Sequence, residues 1–164
     1  MSIIYRSELL LSLEARWLYQ SCLLVPLTMP GQRPSVGVGV IICRNDTVLI
    51  GKRLSDHGKG VRSFPGGHLE YGESLEECAR RETAEEAGVE ISKVHFADVT
   101  NDIFEDSWKH YVTIFLHAHY RAGEACVLEP NKRESRQRTA REKLPRPLFL
   151  PIQHLLEQGY SPFN

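Results

Sequence analysis

The chain has 164 residues, 41% of them hydrophobic and 25% charged, with a formal net charge of −1. That is the length of one domain with enough apolar material for a real core, and a charge this close to zero gives no global field to draw in nucleic acid or an anionic membrane. The four cysteines, Cys22, Cys43, Cys78 and Cys126, lack Cys-x-x-Cys spacing, which argues against a disulfide framework or zinc knuckle and for a reducing, cytoplasmic setting.

In chain order, Ser7 to Leu24 has helical content, with Leu9, Leu10, Leu13, Trp17 and Leu24 apolar, and Pro26 and Pro30 read as a linker. Arg6, Glu8, Glu14 and Arg16 interrupt it, so it reads neither as a signal peptide nor as a membrane span, which needs roughly 18 apolar residues. Val36 to Ile42 and Val48 to Arg53 are predicted strands joined by a turn at Arg44-Asn45-Asp46. Ser63-Phe64-Pro65-Gly66-Gly67 reads as a strand end that turns sharply. Its two glycines let the backbone approach a ligand or aim N–H groups at an anion, although most such turns only reverse the chain. A helix is predicted over residues 74–87: Ser74 and Glu77 form a capping box, and Gly88 supplies a left-handed stop. Val94 to Val99 and His110 to Tyr120 follow as strands, and Leu148 to Glu157 reads as a terminal helix. Strands on both sides of a helix, with another helix at the end, predict an α/β sandwich layered on a mixed β-sheet.

At about 100° per residue, Leu75, Ala79, Glu82 and Glu86 fall in one narrow stripe of the helix, with Cys78 and Glu85 on its edge. Glutamates at this spacing usually form a solvated face, and Arg80 and Arg81 offer surface ion pairs to Glu76, Glu77 or Glu85. Those pairs leave Glu82 and Glu86 unexplained. A carboxylate on an apolar face needs a compensating charge, and Glu82, Glu85 and Glu86 at i, i+3 and i+4 can converge on one point. Clustered carboxylate oxygens suit Mg²⁺ or Mn²⁺ rather than zinc. Next to a loop whose N–H groups can hold phosphate oxygens, such a metal cluster is apparatus for cleaving a diphosphate bond. Of the seven histidines none shows a His-x3-His pairing; His68 stands in the phosphate-side turn, in a structural or a substrate-contacting role.

Gly67-x5-Glu73-x7-Arg81-Glu82-Thr83-Ala84-Glu85-Glu86-Ala87-Gly88-Val89 resembles the motif of the Nudix hydrolases. Every fixed position matches, and the one soft departure is Thr83, where a bulkier apolar residue is usual. The resemblance extends from Arg33 to Asn164 through Pro34-Ser-Val-Gly-Val-Gly-Val40, Gly51-Lys-Arg53, Pro65-Gly-Gly-His-Leu-Glu70, Val94-His-Phe-Ala97, His110-Tyr-Val-Thr-Ile-Phe115 and Glu157-Gln-Gly-Tyr-Ser-Pro-Phe163. Within the family it is strongest toward MutT-like nucleoside triphosphate diphosphatases that accept purine and thiopurine nucleotides. It implies the Nudix fold, an α/β/α sandwich, and hydrolysis of a nucleoside triphosphate or its deoxy form to the monophosphate and pyrophosphate, as in clearing modified nucleotides. Glu82, Glu85 and Glu86 are the expected catalytic acids and hold Mg²⁺ or Mn²⁺. Glu129, in a loop before Pro130, is a further ligand by analogy. Gly66, Gly67, Arg53 and His68 are expected at the substrate, while Glu73 and Arg81 hold the loop against the helix. A homodimer is implied by the resemblance alone. On this reading Glu86→Gln removes turnover and barely moves the melting temperature.

Two regions depart from the pattern. Residues 1–28 have no counterpart, so an N-terminal extension of undefined role precedes a domain over residues 29–164, with Met29 a candidate start. Lys132 to Lys143 stands where relatives carry a Cys and several Trp on a strand and loop; here Arg133, Arg136, Arg138 and Arg141 occupy those positions. Either the strand is remodelled there or the domain is marginal, since losing buried aromatics costs a few kcal/mol each, and a solvated, mobile loop is the expectation ahead of a basic patch for nucleic acid. The departure keeps open a second function, a nucleotide or RNA binding module that has lost turnover. Nucleotide sugars, dinucleoside polyphosphates and capped RNA stay open as substrates, because the motif reads the diphosphate and not what it carries.

Overall fold

The computed structural model describes residues 33–140 and 143–161, and the expected extension over residues 1–28 lies outside them. Seven strands form one mixed sheet: β1 (Ser35–Arg44), β2 (Thr47–Arg53), β3 (Arg62–Ser63), β4 (Gly66–His68), β5 (Glu90–Phe104), β6 (Lys109–Ala122) and β7 (Arg133–Ala140). The order is β3-β2-β1-β6-β5, with β4 also on β1 and β7 also on β2. β1 and β6 run parallel in unbroken register from Ser35↔Tyr111 to Cys43↔His119, and the remaining pairings are antiparallel. Two helices, α1 (Leu75–Ala87) and α2 (Leu150–Glu157), supply the outer layers.

The run Val38 to Cys43 is apolar without alternation because both faces of β1 are covered. Val38, Val40 and Ile42 join Leu49, Leu116 and the Cys78, Ala79 and Ala87 side of α1 in one core. Ile41 and Cys43 join Val48, Ile50, Phe64, Phe115 and the Ile152 and Leu155 side of α2 in the other. Each fully buried aliphatic side chain contributes about 1.5–3 kcal/mol, so a polar replacement on either face of β1 is costly. The capping box forms as read: Ser74 Oγ accepts from Glu77 N at 3.2 Å, and Glu77 Oε2 accepts from Ser74 N at 2.8 Å. Gly88 ends α1 at φ 64°. Thr83 is fully buried and satisfies its hydroxyl on the Arg80 carbonyl at 3.1 Å, so the soft position of the motif is packed.

β5 is longer than the predicted Val94 to Val99. Register shifts between Ser92 and His95 and between Phe96 and Asp98 break the period-2 pattern, which hides the strand's extent from a reading of alternation.

The basic segment is the main correction. Residues 133–140 are not a solvated loop: they form β7 and pair with β2 from Thr47↔Ala140 to Arg53↔Arg133. Arg133 and Arg136 are buried, with side-chain exposures of 2% and 0%. Successive strand residues point to opposite faces, so residues three apart should diverge. Here Lys52 pairs with Ser135 and Arg53 with Arg133, and the register shift leaves Glu134 as an extra residue. That bulge brings Arg133 and Arg136 to the same side. Beyond them Arg138 and Arg44 both lie on the Tyr120 ring, at 4.7 and 4.6 Å from its centroid.

Candidate active site

The turn after β3 carries the first half of the site. Gly66 has φ 148°, and a Cβ there would fall 2.0 Å from the Val38 carbonyl oxygen. A Cβ on Gly67 would fall 2.1 Å from Glu82 Oε1. The first glycine is therefore required by main chain, the second by a carboxylate that rests against it.

Arg81 links turn and helix. Its Nε and Nη2 donate to the two oxygens of Glu73 at 2.8 and 2.9 Å, Nη2 also donates to the His68 carbonyl at 3.2 Å, and Nη1 donates to Glu82 Oε1 at 2.7 Å. Glu85 receives only a long contact from the same Nη1, at 3.4 Å, and its side chain is 58% exposed. The Arg81 guanidinium holds the Glu73 carboxyl down to about 2. Glu82 is shifted the other way: burial raises it, Glu86 and Glu85 add to that, and Arg81 only partly offsets them.

Glu86 is the most enclosed acid of the three. Arg133 Nη2 donates to Oε1 and Oε2 at 2.9 and 3.1 Å, Arg133 Nε donates to Oε1 at 3.2 Å, Arg136 Nη2 donates to Oε2 at 2.9 Å, and Gly66 N–H donates to Oε2 at 3.1 Å. Arg133 Nη1 also donates to Ser63 Oγ. Burial pushes this carboxyl up, yet Arg133, Arg136 and the Gly66 amide outweigh it and hold it below the usual carboxylate range.

The three glutamates expected to share a cation thus have three different settings. Among the described residues no three His, Cys, Asp or Glu side chains come together as a metal site. Glu82 and Glu85 are hard oxygen donors, set on one helix, each touched by a single arginine, and they fit a divalent cation. Glu86 does not fit one as it stands, because five hydrogen bonds already fill its carboxylate. Glu129 pairs with Lys132 at 2.6 Å, and that lysine also feels the charges of Glu86 and Glu82.

A cavity of about 380 Å³ opens beside this arrangement, and it brings together Gly66, Gly67, Arg53, His68, Glu82 and Glu86. Glu73, Arg81, Glu85 and Glu129 do not line it. Its walls also carry residues that motif reading passes over: His57, Phe104, Tyr111, Phe149, Lys132 and Arg133. The His57 ring lies 4.2 Å from Phe104 and 5.4 Å from Phe149, and Phe104 stacks on Phe149 at 5.4 Å. Arg53 sits over Phe149 at 4.5 Å and donates to the His57 carbonyl and Ser55 Oγ, both at 3.1 Å. Burial, with Arg133 nearby, lowers Arg53 to about 10. Tyr111 reaches His68 Nε2 at 3.2 Å.

Behind the cavity wall Asp102, fully buried, accepts from Thr100 and Thr113 at 2.8 and 2.6 Å and pairs with His154 of α2 at 2.8 Å. Asp102 stands in the polar run Thr100-Asn101-Asp102, and nothing in that run distinguishes it in the sequence as the centre of this network.

A model of the NUDIX domain family matches residues 33–153. The NAD-capped RNA hydrolase NudC of Pseudomonas aeruginosa is 35% identical over 97 residues, covering 59% of this chain and 33% of the relative, so the match spans about a third of that protein. The 8-oxo-dGTP diphosphatase of Proteus vulgaris is 33% identical over 79 residues, 48% of this chain and 70% of the relative. A solved MutT NUDIX hydrolase from Burkholderia pseudomallei superposes with a TM-score of 0.73 at 31% identity, covering 77% of this chain and 98% of that one.

Proposed function

The chain belongs to the NUDIX family as a MutT-like hydrolase, and from that premise we propose that it cleaves a nucleoside triphosphate, or its deoxy form, to the monophosphate and pyrophosphate. The observation that carries the reading is a single cavity shared by the glycine turn, Glu82 and a cluster of aromatic rings. At about 380 Å³ it is large enough for a small-molecule ligand. Tyr111, Phe104 and Phe149 offer ring surface to a base, and Arg53 and Lys132 offer charge to phosphate oxygens. The 8-oxo-dGTP diphosphatase activity named for the Proteus vulgaris relative supports a triphosphate, including a modified one.

Glu82 and Glu85 would hold Mg²⁺ or Mn²⁺, which when bound neutralises phosphate charge and acidifies water. Arg81 keeps Glu82 oriented and Glu73 keeps Arg81 oriented. Glu82, which lines the cavity against Gly67, is the acid placed to take a proton from the attacking water. Glu129 would join the ligand set from its place beside Lys132. A cytoplasmic setting and a homodimer belong to the same proposal; no helix among the described residues is long and apolar enough to cross a membrane.

The enclosure of Glu86 favours one second reading, a nucleotide binder with impaired turnover. Pyrophosphate release measured with Mg²⁺ over a panel of purine and modified triphosphates, with the monophosphate products followed by chromatography for ADP-ribose and NAD-capped RNA, which yield no pyrophosphate when cleaved, separates the two. Release from triphosphates supports the hydrolase. A melting temperature raised by nucleotide without cleavage of any of these substrates supports the binder.

A further inference from the structure

We propose that Arg133 and Arg136 act as a resident cation for Glu86, which withdraws this carboxylate from metal binding and leaves Glu82 and Glu85 as the acids that hold a divalent ion. The inference rests on the reading of the cavity as a cation-assisted nucleotide site.

Both oxygens of Glu86 are occupied by guanidinium donors at 2.9 to 3.2 Å, and one also takes the Gly66 amide. A metal ion needs those same lone pairs. Arg136 grips the residue at a second place, its Nε on the Glu86 main-chain carbonyl at 2.9 Å, so rotation of the side chain alone does not free the guanidinium. Arg133 is fixed behind the carboxylate by Ser63.

Burial sets the cost of displacement. The two guanidinium side chains are 2% and 0% exposed and the Glu86 side chain is 7% exposed. A metal that took the carboxylate would strand two positive charges where water does not reach them, beside an ion that repels them. Two cations against one carboxylate also leave a net positive charge at this point, which disfavours a second divalent ion.

The local sequence is built for the arrangement. The Glu134 bulge turns both arginines to the same side. Opposite Arg136 in the register stands Gly51, where a Cβ would fall 2.9 Å from the Ser135 carbonyl oxygen and 3.4 Å from Arg136 Cγ. A larger residue on β2 would displace the arginine. Arg53, the register partner of Arg133, supplies a third cation nearby, so the Glu86 side of the cavity is basic while the Glu82 side is acidic.

Mn²⁺ binding to the nucleotide-free chain, followed by the loss of free-ion paramagnetic resonance signal, tests this without turnover. E82Q is expected to weaken Mn²⁺ binding by about tenfold or more, the usual loss when a metal's immediate surroundings are changed, whereas E86Q, which removes a neighbouring charge and no ligand, weakens it by clearly less. R133M/R136M is expected to tighten binding, and adding E86Q to that pair to remove the gain. If E86Q weakens Mn²⁺ binding in the native background as E82Q does, the proposal is overturned. It is equally overturned if the native chain and R133M/R136M both bind no Mn²⁺. If the variants do not fold, a crystal of the native chain with Mn²⁺ decides: anomalous signal at Glu82 and Glu85, with Glu86 still on Arg136, supports the proposal, and an ion ligated by Glu86 refutes it. Pyrophosphate release is scored separately, so a failed assignment of substrate does not alter the metal result.

Discussion

Arg136 holds Glu86 by both main chain and side chain: Nε donates to the carbonyl oxygen and Nη2 to the carboxylate, each at 2.9 Å. An acid of the family motif is therefore part of the internal structure. Glu86→Gln removes the charge that balances two buried guanidiniums, and breaking such a buried cluster costs about 3–5 kcal/mol. The sequence alone suggests a substitution that affects turnover and not stability. The structure reverses the second half: E86Q is expected to lower the urea midpoint markedly at unchanged slope, checked by equilibrium denaturation. A midpoint equal to that of the native chain would show the arginines satisfied without Glu86.

The neighbouring glycines are expected to respond differently from each other. Gly67→Ala meets a carboxylate, the movable end of a side chain, at 2.1 Å. Glu82 yields, the fold persists, and turnover falls by about a hundredfold, as for other small misplacements of a reacting group. Gly66→Ala meets the Val38 carbonyl at 2.0 Å with φ at 148°, and neither can yield cheaply. Melting temperatures and kcat measured side by side check this: G67A keeps its melting point and loses kcat, whereas G66A loses the melting point first.

How far the sequence carries depends on whether an element is specified locally. The helix was legible to its ends, because Ser74, Glu77 and Gly88 are chemical signals that act within a few residues. The strands at 36–42 and 48–53 and the mixed sheet followed from apolar runs. β7 was not legible: a stretch with four arginines between residues 133 and 141 carries no apolar face, and its burial depends on Glu86, 47 residues earlier than Arg133. The sequence predicts glutamates turned inward around a metal, because arginine pairs on the helix leave Glu82 and Glu86 unexplained. Instead Glu85 stays 58% exposed, Arg81 pairs with Glu82 at 2.7 Å, and for Glu86 the positive charge comes from arginines far away in the chain. The aromatic cavity was missed for the same reason, since His57, Phe104, Tyr111 and Phe149 come from four separate segments and share no spacing.

Those rings give a test of base recognition. If a nucleobase lies on them, Tyr111→Leu removes a stacking surface worth about 1–3 kcal/mol per base, which raises KM roughly tenfold and leaves kcat nearly unchanged. Hydrolysis of inorganic tripolyphosphate, which has no base, should be the same for the variant and the native chain. An equal rise in KM for both substrates would assign Tyr111 to the phosphate side, through its contact with His68.

His57 makes the stability of the chain depend on pH in a defined direction. Burial, then the positive charges of Lys109 and Arg53 and the neighbouring His68, lowers its imidazole from 6.5 to about 4. Its Nε2 has no hydrogen-bond partner, so a proton there has nothing to donate to. Because the unfolded chain takes up the proton first, the unfolded state gains as pH falls below about 6.5, and the loss of stability continues down to about 4. Above 6.5 the residue is neutral in both states and adds no slope. His57→Phe keeps a ring among Phe104, Tyr111 and Phe149 and cannot titrate. Its melting temperature should therefore fall less than that of the native chain between pH 7 and pH 4.5, a difference read directly from paired thermal melts; parallel curves would mean that His57 is protonated as readily in the folded chain as in the unfolded one.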